Sequence, residues 1–265
     1  MEVIHRLGLS WDKSKQALLA GLGIEVVEGV DAFEIGESDP RWPDVQPLIS
    51  AWKLLDIVTT RFSREELRGA SYLDMGPDWH HGYPQPDGAF GYLKETYDVA
   101  EYCSACGIGA KQSAPFRMKG EPKWGKRHIL QLNWVFDEYF VQPDVWKTVF
   151  EPFGVGSCPV KHHRTSKQLT TVVQLSINTH VTVPSIPTPS ETCPACGRAK
   201  HLHITRGMFP PVEGMQQAHI ARTKEYFGSG ASASNAIIVS GDLYQAIEES
   251  KLKGVHFVPC RQGCS

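Results

Sequence analysis

No stretch of the 265 residues approaches the roughly 18 consecutive apolar positions that a membrane-crossing helix needs. The first residues, Met1-Glu-Val-Ile-His-Arg6, lack a basic region followed by an apolar stretch and a small-residue cleavage site. A soluble, cytoplasmic protein with no membrane partner is therefore the expectation. Net charge is nearly absent as well: 27 Lys and Arg stand against 29 Asp and Glu, a balance of −2 that gives no global pull towards nucleic acid or an anionic surface. The chain has no Gly-x-x-x-x-Gly-Lys-Ser/Thr, no His-Glu-x-x-His, no Gly-x-Ser-x-Gly and no dinucleotide glycine fingerprint, which weakens an enzymatic reading without excluding it. An even cysteine count is also missing; seven cysteines argue against a fully paired extracellular disulfide framework. With 41% hydrophobic residues, 18 Pro and 24 Gly, the composition excludes disorder and collagen.

What is present is unevenly placed. Residues 1–100 carry 9 basic and 17 acidic side chains (−8), and 101–265 carry 18 and 12 (+6). This shift sets an expected boundary near residue 100, between an acidic N-terminal α/β region (1–100) and a second domain (101–265). In the first region, 14–22 has helical apolar spacing, 24–28 alternates loosely as a strand, and 47–60 reads as one helix behind Pro47. Ser63-Arg-Glu-Glu66 has the capping-box pattern. Gly76 to Pro86 is a loop, because its prolines and glycines forbid regular structure. In the second region, 169–177 is β-branched and alternating, and 228–234 is small and flexible.

Two segments of the second region share a layout, 103–160 and 193–260. Each opens with Cys-x-x-Cys-Gly, runs into a strand, then a turn with Asp144 or Asp242 in a first helical turn where acid complements the helix dipole, and closes with an extended segment. The spacing from the second Cys to the Asp differs, 38 against 46 residues, so the layout is either an internal repeat or a looser likeness.

The pairs Cys103/Cys106 and Cys193/Cys196 carry the clearest chemistry. A Cys-x-x-Cys-Gly turn sets two thiolates about one tetrahedral edge apart, and two such turns supply four sulfurs to one zinc ion with no open coordination position. The expected cofactor is one structural Zn²⁺, held by Cys103, Cys106, Cys193 and Cys196. Competing readings are two separate sites completed by Cys158, His162 or His163 and by His201 or His203, a redox-active pair, or unliganded thiols. Cys260-x-x-x-Cys264 has poor spacing for a knuckle, and Cys158 reads as a small core residue. The expected fold class is α+β, with mixed sheets, short helices and a zinc-ribbon-like four-cysteine centre carrying a large insertion.

Three further groups are candidates. Asp74, Asp78, His80, His81 and Tyr83 surround Trp79 and offer acid-base groups, against the blander reading of an aromatic loop packed on the core. Lys111, Arg117, Lys119, Lys123, Lys126 and Arg127, interleaved with Phe116 and Trp124, have the pattern of a nucleic-acid contact or of a solvated hairpin. Glu25, Glu28, Asp31, Glu34, Glu37 and Asp39 form an acidic stretch suited to a basic partner, or simply a solvated loop.

The order of motifs resembles the bacterial double-CxxCG motif proteins, a family that includes immunity proteins for contact-dependent toxins. The likeness rests on Cys103-Ser-Ala-Cys-Gly107, Cys193-Pro-Ala-Cys-Gly-Arg198, and Ile237-Ile-Val-Ser-Gly-Asp-Leu-Tyr-Gln-Ala-Ile247 followed by Lys251-Leu-Lys-Gly-Val-His-Phe-Val-Pro259, covering roughly residues 100–260. Residues 1–95 depart from the family pattern, in which the first CxxCG lies nearer the N-terminus. The resemblance implies a binding protein that holds a cognate toxin or effector, with a zinc-ribbon nucleic-acid-binding protein and an enzyme centred on the Trp79-His80-His81 loop as alternatives.

Overall fold

The strand β1 (Glu2–Trp11) lies between β2 (Gly29–Gly36) and β3 (Leu55–Arg61) in an antiparallel three-stranded sheet. Its alternation buries Leu7 and Trp11 with Leu19 of α1 (Lys13–Gly21) and with Trp42 and Val45 of α2 (Trp42–Trp52). Asp12 caps α1, its carboxylate accepting the Lys15 amide at 2.9 Å. The single helix expected over 47–60 is two elements. α2 stops at Lys53, whose left-handed φ of 52° breaks the run, and the β-branched residues that follow form β3. The expected strand over 24–28 is not one; β2 begins at Gly29.

In this computed structural model, which describes residues 1–263, these elements belong to one unit made of Met1–Glu66 and Ile204–Met208. The returning segment is fixed to β3 by Thr60, whose hydroxyl donates to the Thr205 carbonyl at 3.2 Å and accepts the Gly207 amide at 2.8 Å. The second unit comprises Leu67–His203 and the residues from Phe209 onward, with the five-residue helix α3 (Arg64–Arg68) at the crossover. The division thus falls near residue 66 rather than 100, because β4 (Tyr72–Pro77) is hydrogen-bonded into the middle of a sheet of the second unit. With this division the charge contrast narrows. The first unit has 8 basic and 12 acidic side chains (−4), leaving 19 and 17 (+2).

The rest of the second unit follows in order. α4 (Tyr92–Thr96) leads to β5 (Tyr97–Asp98), β6 (Lys111–Gln112), β7 (Arg117–Met118), β8 (Ile129–Leu132) and β9 (Val135–Val141). After α5 (Pro143–Val145) come β10 (Gly156–His162), β11 (Gln168–Ser176), β12 (His180–Val181), β13 (Ser190–Thr192), β14 (Ala199–His201), β15 (Ile220–Phe227) and β16 (Ser234–Ser240). α6 (Gly241–Glu249) and β17 (Val255–Pro259) complete the chain. One sheet has the order β7-β10-β11-β9-β8; the other runs β13-β14-β15-β16-β4-β17, with β12 beside β15. The fold class is α+β, mostly sheet with few short helices, as the sequence indicates.

The two sheets share register. Across the first, Pro159, Val173, Val141 and Ile129 stand in one row and Cys158, Gln174, Phe140 and Leu130 in the next. Across the second, the rows are Pro259, Leu73, Val239, Ile220 and Val258, Asp74, Ile238, Ala221. Each set is a hairpin, a strand inserted beside it and a closing strand, with a helical connection between hairpin and closing strand. The inserted strand is β11 in one sheet and β4 in the other, one from after the closing strand and one from far before the hairpin. Tyr139, Val141 and Leu175 share a core with Leu73, Met75, Val239 and Leu243.

Candidate metal centre

Each cysteine pair sits at the tip of a hairpin, the first between β5 and β6 and the second between β13 and β14. The two turns have the same internal bonds. The Cys103 amide donates to the Ile108 carbonyl and the Cys193 amide to Arg198, both at 2.9 Å; Gly107 and Gly197 donate to the Cys103 and Cys193 carbonyls, both at 2.8 Å. Gly107 and Gly197 have φ of 82° and 73°, a conformation that side chains resist. At Gly107 space is also short, since a Cβ would collide with the backbone of Ala231 and Ala233.

The four sulfurs lie within 4.8 Å of one another, with Cys103 to Cys193 at 3.9 Å and Cys106 to Cys196 at 3.6 Å. For a metal–sulfur bond of about 2.3 Å the tetrahedral edge is about 3.8 Å, so the cage fits a four-coordinate ion of zinc's size. Among the described residues no other group of three or more His, Cys, Asp or Glu converges in this way, and the two-site arrangement with Cys158 or the histidines is not formed. Cys260 is buried, and Cys264 lies outside the described residues.

Two cations support the cage. Arg198 points its Nε at the Cys196 sulfur, 3.4 Å away, and its Nη2 at the Glu101 carbonyl at 2.7 Å, tying the second turn to the first. Lys200, 2% exposed, directs its ammonium at three carbonyls, Cys106, Gly230 and Ser232, which satisfies its three donors. Hydrogen bonding to Arg198 holds the Cys196 thiol below its ordinary range, whereas burial pushes Cys106 up. Four thiolates with a divalent ion carry −2, which Arg198 and Lys200 offset. Neither cation was expected from sequence; the signal was the spacing Cys196-Gly-Arg-Ala-Lys200, two basic residues at alternate positions, the first just before β14 and the second on it.

The other candidates separate. Asp78 pairs with His256 (Nδ1 to Oδ1, 2.7 Å), and Asp74 stands on β4, while His80 and His81 lie alongside β8. Burial lowers both histidines, and His80 Nε2 is a buried atom with no partner. In the basic stretch, Phe116 and Trp124 are core residues at 0% and 8% exposure, and Lys111, Arg117 and Lys119 face Glu101, Glu95 and Asp87. In the acidic stretch, Glu34 pairs with Arg61, Glu37 with His5 and Arg206, and Asp39 with Arg41, while Asp31 accepts the Val27 amide. Strand alternation sets Asp31 and Glu34 on opposite faces of β2, so the six acids share no single face. Glu25 and Glu28 have no such partner among the described residues.

A surface feature unseen from sequence is an aromatic ladder. Trp134 lies 4.4 Å from Tyr83 and 4.6 Å from Phe90, centre to centre, and all three rings are more than a third exposed. Ala89, Phe90 and Trp134 have left-handed φ of 48°, 54° and 69°, which side chains adopt only at a cost. No family model, curated protein or solved structure matches the chain. No helix among the described residues is long and apolar enough to cross a membrane.

Proposed function

We propose that this protein is a zinc-stabilised binding protein of the immunity or antitoxin type, which binds a cognate toxin and neutralises it in the cytoplasm. The observation that carries the reading is the ladder of Tyr83, Trp134 and Phe90, three large rings held partly in solvent, two of them on left-handed backbone: clustered exposed aromatics are frequent anchors of protein interfaces. The closed four-thiolate cage supports it, because it leaves a zinc ion no position for a substrate, so its task is to hold the scaffold rigid. Elemental analysis of the purified protein should give one zinc per chain; the optical bands of an iron–thiolate centre would refute that assignment.

The functional test is growth rescue. Co-expression with the product of the neighbouring open reading frame should restore growth, and Trp134→Glu should abolish the rescue while leaving the melting temperature within a few degrees. Full rescue by Trp134→Glu would move the contact elsewhere, and absence of rescue by the native chain would refute the reading. The nucleic-acid alternative is weakened by the burial of Phe116 and Trp124, and it predicts a steep salt dependence in RNA or DNA shift assays.

A further inference from the structure

Where the five-stranded sheet meets the longer one lies a cavity of about 680 Å³, the scale of small-ligand sites, lined by Asp137, Glu138, Gln174, Tyr97, Tyr226 and Arg222. Its chemistry follows from which of these groups are already satisfied. Arg222 is: Nη2 meets Glu138 Oε2 at 2.8 Å, Nη1 donates to the Asp137 carbonyl at 2.7 Å and Nε to the Ile177 carbonyl at 3.0 Å. Glu138, 5% exposed, also accepts from Gln174 Nε2 at 2.8 Å, so this buried pair is closed on itself. The cavity's lysine, Lys111, is engaged by Glu101 at 2.8 Å. No lysine or arginine of the lining is left to receive an anionic ligand.

One carboxylate is left over. Asp137 Oδ2 is 3.6 Å from Arg222 Nη1 and 3.3 Å from the Asn235 amide, both long, and Oδ1 has no partner among the described residues. Arg222 is shared between the two carboxylates and lies closer to Glu138, at 2.8 Å against 3.6 Å, so Asp137 is the less fully compensated of the pair. Tyr97 and Tyr226 stand beside it with hydroxyls that make no hydrogen bond among the described residues. Burial and the neighbouring carboxylates push both phenols above their ordinary range, so they remain neutral donors and acceptors. A cavity lined by an incompletely compensated carboxylate and two tyrosines is matched by an organic cation on a short stem.

We infer that this cavity binds a guanidinium or alkylammonium group, with Asp137 as the charge partner and Tyr97 and Tyr226 as its walls. The site stands independently of the immunity reading, since it concerns the cation whichever molecule carries it. The test is calorimetric titration of the zinc-loaded full-length protein with agmatine, spermidine and the peptide acetyl-Gly-Arg-Gly-amide, with glutarate as the anionic control. Saturable binding of at least one cation and none of glutarate is expected. Asp137→Asn should weaken it about tenfold or more, the worth of one charge-assisted hydrogen bond, with the melting temperature unchanged. Agmatine or spermidine binding without the peptide assigns a free small molecule; peptide binding assigns a basic side chain of a protein. If Asp137→Asn does not fold, Tyr97→Phe is read in its place, with a several-fold loss expected. No saturable binding of any cation up to roughly 10 mM, or equal binding by the variants, overturns the inference.

Discussion

The two sheets of the second unit are built to one register, yet they differ in how well their helical connections are made. In the second, Ser240 caps α6, its hydroxyl accepting the Leu243 amide at 3.2 Å, and nine residues run as a regular helix. In the first, the equivalent residue is Gln142, which makes no capping bond; the three residues of α5 pass into a π turn over Trp146–Phe150 and a 3-10 turn over Glu151–Phe153. Pro152 contributes, because it has no amide to continue the ladder. A shared register thus fixes where the strands lie, while the regularity of the connection is decided locally by a cap and a proline. The hairpins differ too. Asn133 and Trp134 turn the first tightly, whereas residues 228–233 extend the second until Gly230 and Ser232 reach Lys200 and Ala231 covers Gly107. That longer turn supplies four of the eight residues by which the two cysteine-to-aspartate spacings differ, and the greater length of β15 over β8 another four.

The largest change to this comparison should come from the metal. Binding free energies of about 10–16 kcal/mol for zinc in small peptides exceed the stability of many domains, so chelation or Cys196→Ser should remove cooperative unfolding of the second unit. Melting with and without chelator, followed by tryptophan fluorescence, checks it; an unchanged transition would show that the sheets hold without the clamp.

Next in size is the polar residue in the inserted strand. Gln174 in β11 is hydrogen-bonded to Glu138 and Gln112, whereas Asp74 occupies the matching place in β4 with its carboxyl pushed up to about 7 by desolvation. The native state therefore holds a proton that the unfolded chain releases near pH 4, so Asp74 lowers stability as pH rises from about 4 to about 7. Asp74→Asn should flatten that fall, by at most about 1.4 kcal/mol per pH unit, in denaturant titrations across the window. Parallel pH profiles for the two proteins would show that the carboxyl is solvated.

The smallest effects are at the caps, and they have opposite signs. Ser240→Ala should cost about 1 kcal/mol, while Gln142→Ser, at a residue with extended φ and ψ of −66° and 143°, should gain up to about the same. Equal and unmeasurable changes at both positions would mean that packing of Leu243 and Val145 alone sets the two helices.

Each cysteine turn was legible in the sequence, because Cys-x-x-Cys-Gly is a local object: its bonds span six residues and its glycine is required by the turn's own φ, whereas the meeting of the two turns belongs to the fold. The sequence also determined the helix of 241–249 and the strands around it, where cap, periodicity and β-branching agree. Only the tertiary structure decided that β4 completes a sheet whose other strands lie more than 100 residues away, since strand pairing leaves no trace in local periodicity. It likewise decided which charges remain free. Glu34, Glu37 and Asp39 read as one acidic face until Arg61, His5, Arg206 and Arg41 are placed against them, and Asp137 and Glu138 differ only once Arg222 is placed nearer the second, at 2.8 Å against 3.6 Å. Charge along a chain is a count, whereas charge at a site is what remains after partners distant in sequence have been brought within a few ångströms.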